Sequence, residues 1–476
     1  MPRKAAFELH LFDLGHDARR DRRYSGSMKD TWFKYLDANV PRYTSYPSAL
    51  AFTDEIGPAQ YAAALGRLPA YEPVSLYLHI PYCRQLCWYC GCNMRVENRP
   101  ERMAKYVDDL IAEISLVGTT MRGHGRVTQL HFGGGTPNAL PGREIERLID
   151  AVENVFGLTD STPIAMEIDP RLCGDYQAAQ LAKLGVTRFS IGVQDFDPAV
   201  QKAINREQSF DVVAECVADL RGAGVKDISL DLLYGLPHQS ADGFDKTIEQ
   251  TLELQPDRIS LFGYAHMPSR FAHQRLIEEG ALPSRGLRSD LSERAAVQLM
   301  AAGFDRIGFD HFAKPYTSIA KAARAHALNR NFQGFTEDQS RVVIGLGVSA
   351  ISTIGALSSQ NAKDIRAYRD ALAAGCFATV RGVEASATEL GLGEWLKRLL
   401  CDMRGNLSQY SAILGKPNAQ LCEAVERLKP FIEDGIVRLE GDEIVIDNEA
   451  KALARRVAAC LDPHVKDDKA FASPTV

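Results

Sequence analysis

No stretch of this 476-residue chain approaches the ~18 to 20 uncharged apolar residues that a bilayer-spanning helix requires. Its first residues, Met1 to Tyr24, are basic and polar and lack the apolar core of an export signal. Neither membrane insertion nor secretion is expected, and the chain reads as cytoplasmic. A charge field of one sign is also missing: 55 Lys and Arg stand against 61 Asp and Glu, a net charge of −6 spread along the sequence. Nucleic-acid binding usually draws on a concentrated basic surface, so no nucleic-acid partner is expected. Ten cysteines are too few for a disulfide scaffold of this size, and in a reducing compartment they read as buried, catalytic or metal-binding thiols. With 45% apolar and 24% charged residues, the composition is that of a globular protein, which argues against collagen-like, coiled-coil or largely disordered chains.

At a loose ~150 residues per domain, this length makes two or three domains, or one barrel with appendages. From residue 75 onward, short apolar runs alternate with amphipathic stretches. The runs 75–80, 127–132, 163–168, 188–193, 227–234 and 258–264 predict strands of a buried parallel sheet. Stretches 103–117, 144–156 and 210–223 carry helical periodicity, the last with Gly224 placed to end it. Alternation at this spacing implies βα units and an α/β fold. Polar residues gather where the strands end: cysteines after the first, 133–137 after the second, Glu167 and Asp169 at the third, Gln194 at the fourth, Asp231 at the fifth and 264–266 at the sixth. A barrel places its chemistry at that face, whereas a doubly wound sheet uses a single switch point. A barrel or partial barrel is therefore expected, occupying 75–360 with its extension.

The flanks are plainer. Residues 1–40 read as a polar leader, flexible over 1–27, with Met28 an alternative start. The segment RYTSYP (42–47), within 41–74, suits an ordered arm over the barrel mouth; a simple turn is the alternative. Over 361–476, short helices (389–403, 419–434) precede GIVRLEGDEIVID, a hairpin pattern, as in a small mainly helical, winged C-terminal domain.

Four cysteines, Cys83, Cys87, Cys90 and Cys92, fall within the single segment CRQLCWYCGC, while the other six are scattered and read as buried thiols. Clustered thiolates select zinc or an iron–sulfur cluster. Structural zinc usually shows two separated C-x2–4-C pairs, whereas this is one C-x3-C-x2-C run with no second pair nearby. Three such ligands leave one iron of a four-iron cluster open to a small molecule. Cys92 offers a fourth thiolate only if the chain folds back sharply after Cys90. Zinc binding and inert cysteines remain the alternatives on spacing alone.

A Cx3Cx2C loop directly after the first strand of a βα barrel resembles the radical S-adenosylmethionine (SAM) superfamily. The wider set RYTSYP, SLYLHIPYCRQLCWYCGCN, LHFGGGTP, EIDPR, GVQDF, NREQ, DLLYGLP, YAHMP, DHFAKP and NRNFQGFT resembles the oxygen-independent coproporphyrinogen III oxidase family, in that family's order. The resemblance implies a partial (β/α)6-type radical SAM barrel in which Cys83, Cys87 and Cys90 hold a 4Fe–4S cluster. It implies SAM contacts at Gly134, Gly135, Thr136, Glu167, Gln194, Arg206, Asp231, Ala265 and Ile351. It further implies a second SAM molecule, with Tyr77, Gln194, Arg206, Asp231, Ala265 and Ile351 among the shared positions. Physical chemistry is compatible with these roles: glycines permit close backbone approach, a strand-end carboxylate suits a ribose diol and an arginine suits a carboxylate fork. Each also has a plain reading as turn, ion pair or core packing.

The implied reaction is oxidative decarboxylation of two propionates of coproporphyrinogen III to vinyls, giving protoporphyrinogen IX in haem biosynthesis. A low-potential electron donor and a terminal electron acceptor are implied as partners, the catalytic radical arises on SAM rather than on a named side chain, and the enzyme is expected to be a monomer. Arg42 is placed to meet a propionate. Two rivals are weighed. A related radical SAM haem chaperone or haem-processing methyltransferase shares the cysteine loop, but haem chaperones continue it with Asp-Phe, where this chain has Gly91-Cys92-Asn93, and they lack the RYTSYP arm. A zinc-stabilised nucleotide-binding α/β protein leaves Gln194, Asp231 and Arg206 without a shared purpose.

Overall fold

Leucine- and valine-rich runs that are apolar on both sides become parallel strands, because only helices packed on their outer face and side chains filling the inner one keep such a strand from water. They are β1 (Pro73–Ile80), β2 (Arg126–Gly134), β3 (Ile164–Ile168), β4 (Val186–Gln194), β5 (Asp227–Tyr234) and β6 (Arg258–Gly263). After each in turn comes a helix: α1 (Pro100–Met121), α2 (Gly142–Phe156), α3 (Asp175–Lys183), α4 (Phe210–Gly222), α5 (Ala241–Glu253) and α6 (Arg285–Ala301). The computed structural model describes residues 29–36, 39–415, 419–465 and 473–474; the leader expected at 1–27 and Met28 lie outside them. No helix among the described residues is long and apolar enough to cross a membrane.

Helix limits follow local chemistry. Proline at the first turn starts α1, and Ser209, Ser240 and Ser284 cap α4, α5 and α6 by accepting from Val212, Gly243 and Leu287 amides. Helix α4 stops one residue earlier than its pattern suggests, and Gly224 takes the positive φ that follows.

Six further strands complete one sheet: β7 (Asp305–Ile307), β8 (His311–Ala313), β9 (Val342–Leu346), β10 (Ile351–Ile354), β11 (Leu357–Asn361) and β12 (Thr379–Glu384). The spatial order is β7-β8-β6-β5-β4-β3-β2-β1-β9-β10-β11-β12. Strands β1 to β6 are mutually parallel, and β9 joins β1 in the same sense. Beyond β6 and β9 the pairing turns antiparallel. Among the described residues no ladder links β7 to β12, so the sheet is an open, partial (β/α)6 barrel, as the sequence implies.

Register then decides which side chains face inward. Tyr77 lies beside His131, Glu167 beside Ser190, and Gly192 beside Asp231, which neighbours Ser260. On the other face Leu76, Leu78, Leu130, Phe132 and Leu230 are fully buried and share one apolar core with Leu110 and Ile114 of α1 and Leu148 of α2. Each such side chain contributes roughly 1.5 to 3 kcal/mol.

Two appendages bear on the cavity side. A hairpin, Asn329–Asn331 with Gly334–Thr336, projects between β8 and β9. The RYTSYP arm is fastened to the C-terminal helices, where the Tyr43 and Tyr46 hydroxyls donate to the two carboxylate oxygens of Asp462 (3.1 and 2.9 Å). Near the C-terminus, helix Ala387–Asp402 precedes a three-stranded antiparallel sheet of Arg404–Asn406, Glu443–Ile446 and Val437–Glu440, the last two being adjacent in the chain.

At the opposite end of the strands, Glu337 bridges Arg188 of β4 (3.0 Å) and Arg258 of β6 (3.1 Å), and Arg258 also grips Asp227. Burial opposes the charge on Glu337, yet the two guanidiniums hold its carboxyl down at about 2. Replacing Glu337 by Gln takes the carboxylate from Arg188 and leaves Arg258 with Asp227 alone, which should cost about 3 to 5 kcal/mol, read by denaturant unfolding at neutral pH. Because the folded-state value lies below the ordinary one, this contribution is complete above the usual carboxylate range and disappears as pH falls toward about 2. The gap between wild type and Glu337→Gln should close in acid.

Candidate active site

The loop after β1 carries the thiols, and neighbouring segments tie its backbone down. Tyr82–Cys83 pairs in parallel with Arg95–Val96, with Arg95 N donating to Pro81 O (2.7 Å) and Glu97 N to Cys83 O (3.1 Å). Trp88 N donates to Ile204 O (2.9 Å) and Asn205 Nδ2 to Leu86 O (2.8 Å). Gln274 Nε2 donates to Tyr89 O (3.0 Å), and His273 Nε2 hydrogen-bonds Cys90 O (2.6 Å). Support of this kind preorganises ligand side chains.

Each of three sulfurs has a polar neighbour suited to a thiolate. Cys83 Sγ shares a hydrogen bond with Thr136 Oγ1 (3.2 Å), Arg206 Nη1 donates to Cys87 Sγ (3.6 Å), and Cys92 N donates to Cys90 Sγ (3.4 Å). Hydrogen bonds to thiolate sulfur are what tune iron–sulfur centres. Among the described residues no three His, Cys, Asp or Glu side chains converge as they would on a single ion. A four-iron cluster asks for no such convergence, since each thiolate caps a separate iron, and the soft three-thiol set on one loop fits it.

Close packing explains the adjacent glycines. Gly134 has φ +122°, and a Cβ there would meet the His79 ring and Ile80 O at 2.8 Å. One at Gly135 would fall 3.0 Å from Cys83 Sγ. The glycine run thus lets β2 pass directly beneath the cysteine loop.

The strand ends supply the remaining groups. Glu167 accepts from Gly134 N (3.2 Å) and His131 Nε2 (3.2 Å) while its carboxylate stays open to the cavity. Arg206 is buried; it donates to Asp169 Oδ2 (3.3 Å) and Gly192 O (2.6 Å) as well as to Cys87. Burial works against the Arg206 charge, but Tyr89, Asp169 and Cys87 raise its pKa above the ordinary value. Gln194 sits at the bulge closing β4, with φ +69°; a non-glycine residue so placed stores strain of the kind found at functional sites. Asp231 accepts from Ser190 Oγ (2.8 Å), and burial pushes its carboxyl up to about 6.

These groups share one cavity of about 660 Å³ at the C-terminal ends of the parallel strands. Cys83, Cys87, Cys90, Gly134, Gly135, Thr136, Glu167, Gln194, Arg206, Asp231 and Ala265 all line it. Tyr77 and Ile351 do not. The Tyr77 hydroxyl is engaged by His79 Nδ1 (3.1 Å), with its ring edge-on to Phe332 at 4.8 Å, and Ile351 lies on β10, paired with Gln360. Cys92 and Arg42 line the cavity too. A second cavity, of about 510 Å³ beside Arg306, Cys401 and Lys451, contains none of the expected site residues.

The geometry agrees with what the chain resembles. Residues 77–251 match the model of the radical SAM superfamily. Over 447 residues the chain is 41% identical to the oxygen-independent coproporphyrinogen III oxidase of Bradyrhizobium diazoefficiens, covering 94% of this chain and 99% of that one. The chain belongs to the oxygen-independent coproporphyrinogen III oxidases. A Pseudomonas aeruginosa member is 39% identical over 90% of the chain and 94% of its own length. Coproporphyrinogen III oxidase (HemN) from Escherichia coli, whose solved structure is described as that of a radical SAM enzyme, superposes with a TM-score of 0.83 at 35% identity, covering 89% of this chain and 98% of that one. A barrel of parallel strands carries its site at their C-terminal ends, where this cavity lies.

Sequence reading missed much of the cavity wall, including Arg270, Arg330, Phe332 and Arg455. Arg330 and Phe332 fall inside NRNFQGFT, a motif that was visible without an assigned role. Arg455 belongs to a short C-terminal helix with no local signal, and only the fold brings it here.

Asp231 offers a test of the cavity's electrostatics. Its folded-state value lies above the ordinary one, so the stability it contributes is complete below the usual Asp range and is lost as pH rises through about 6. Asp231→Asn should therefore gain on wild type by roughly 1 to 3 kcal/mol between acid and neutral pH, measured by thermal unfolding across that range.

Proposed function

We propose that the chain catalyses the oxygen-independent oxidative decarboxylation of two propionate side chains of coproporphyrinogen III to vinyls, giving protoporphyrinogen IX. The observation carrying this reading is a single cavity that joins the Cx3Cx2C loop to Glu167, Gln194, Arg206 and Asp231. Cys83, Cys87 and Cys90 would hold a 4Fe–4S cluster, and the cavity beside them would take SAM. Bound together, these groups supply one-electron cleavage of SAM and hence hydrogen abstraction from a propionate, with the electron left after loss of CO2 passing to an acceptor.

The residues of the chain have separate tasks. The Gly134 to Thr136 backbone and Glu167 offer acceptors and donors for the amino-acid and ribose parts of SAM. Arg206, paired with Asp169 and touching Cys87, sets positive charge beside the sulfurs. Tyr89, Phe271 and Phe332 give the cavity apolar surface, which helps keep water from a reactive centre. Arg42 and Thr44 bring the N-terminal arm to the same wall, and the arm closes the mouth. The free thiols of the described chain suit a reducing cytoplasm.

Anaerobic turnover of reconstituted protein with SAM, a low-potential reductant and coproporphyrinogen III tests the reading. Protoporphyrinogen and 5′-deoxyadenosine should appear together; SAM cleavage without decarboxylation would retain the superfamily and reject the substrate. Cys90→Ser should abolish iron and acid-labile sulfide incorporation, whereas Cys92→Ser should leave both intact. Equal loss in the two variants would overturn the ligand assignment. Glu167→Gln, which removes a charged acceptor, should raise the KM for SAM by roughly 10- to 100-fold, the equivalent of ~1.5 to 3 kcal/mol.

A further inference from the structure

Three arginines from distant parts of the chain meet on one wall of the active-site cavity. Arg42 comes from the N-terminal arm, Arg330 from the hairpin strand Asn329–Asn331 and Arg455 from the helix Ala454–Leu461. Arg330 is 9% exposed and donates from Nη2 to Arg42 O (3.2 Å), while its Nε and Nη1 have no hydrogen-bond partner. Its guanidinium carbon stands 4.5 Å from the Phe335 ring centre and 4.8 Å from that of Phe309, and Arg455 stands 5.8 Å from the same Phe309 ring. Guanidiniums held against aromatic faces are fixed in orientation, leaving their N–H edges to receive a planar anion bidentately.

Asp310, a carboxylate on the same wall, attracts all three cations and is itself bound to His311 Nδ1 at 2.6 Å. Burial lowers the pKa of Arg455 to about 10, with Arg42 and Arg330 adding repulsion against the pull of Tyr234 and Asp310. Arg330 is the buried member of the three, and its unpartnered Nε and Nη1 beside two further guanidiniums on the cavity wall call for an anionic ligand. Arg206 lies elsewhere, on the sulfur side of the cavity, and is committed to Asp169 and Cys87.

We infer that Arg42, Arg330 and Arg455 form a carboxylate clamp that holds propionate groups of the tetrapyrrole substrate in the cavity. This rests on the function proposed above and names the part of the substrate that is gripped. It also gives the N-terminal arm and the C-terminal helices a shared task, since each supplies one jaw to a site that the barrel alone leaves incomplete.

The test is a fluorescence titration of the full chain with coproporphyrin III, the air-stable oxidised relative that keeps four propionates, and with its tetramethyl ester. Wild type should prefer the acid. Arg330→Gln and Arg455→Gln should each weaken binding of the acid by ~10- to 100-fold and so erase most of its preference over the ester. Arg330→Lys, which keeps the charge and the apolar stem but not the fork, should recover part of the loss and guards against a folding defect. Acid binding unchanged in both Gln variants, or acid and ester weakened alike, would overturn the clamp. If reconstituted wild type fails to convert coproporphyrinogen III at all, the functional reading itself falls and the clamp with it, an outcome separate from intact turnover with insensitive arginines.

Discussion

Parallel strands all end on the same side. That constraint, imposed by six consecutive βα units, brings residues separated by tens of positions to one rim: the thiol loop after β1, the glycines closing β2, Glu167 on β3, Gln194 on β4 and Asp231 on β5. Helices must cover the outer face, which requires strands apolar on that side throughout, while the inner face is released to carry polar groups only near the ends. The same arithmetic of alternating side chains that buries Leu76 and Leu78 turns Tyr77 and His79 inward.

Charge placement divides the barrel into a structural end and a chemical end. Where the strands begin, Arg188, Arg258, Asp227 and Glu337 satisfy one another, which is what a closed, load-neutral network needs at low dielectric. Where they finish, the balance is left open: Asp231 is pushed toward its neutral form by burial, Arg206 leans on a sulfur, and Arg330 keeps N–H groups without partners. Unsatisfied buried groups cost stability unless a ligand completes them, so the cavity is the place where this chain trades stability for binding.

Legibility followed the range over which each signal acts. The six parallel strands and the helices between them were readable because burial on both faces and 3.6-residue periodicity are written locally, and boundaries such as the end of α4 shifted by a single residue. The short strands β7 to β11 were left within an undifferentiated extension and β12 within the C-terminal region, since runs of three to six residues such as Asp305–Ile307 and His311–Ala313 carry too few positions to show a period. Within the site, the cysteines, glycines and strand-end carboxylates stood out by spacing or by position. Tyr77 and Ile351, taken from the family resemblance, lie off the cavity wall, because the Tyr77 hydroxyl turns to His79 and Ile351 belongs to the antiparallel flank.

By itself, then, the sequence determined the class of fold, the cysteine loop and the end of the strands at which polar groups gather, because hydrophobic period and cysteine spacing are local properties of the chain. Tertiary structure decided which distant residues share a wall. Arg42, Arg330 and Arg455 are separated by more than a hundred positions at each step and carry no common motif; they meet because the arm binds Asp462, just past the helix Ala454–Leu461 that carries Arg455, and the hairpin between β8 and β9 brings Arg330 to the same wall. Proximity of that kind is a product of packing over the whole molecule, and no window of sequence contains it.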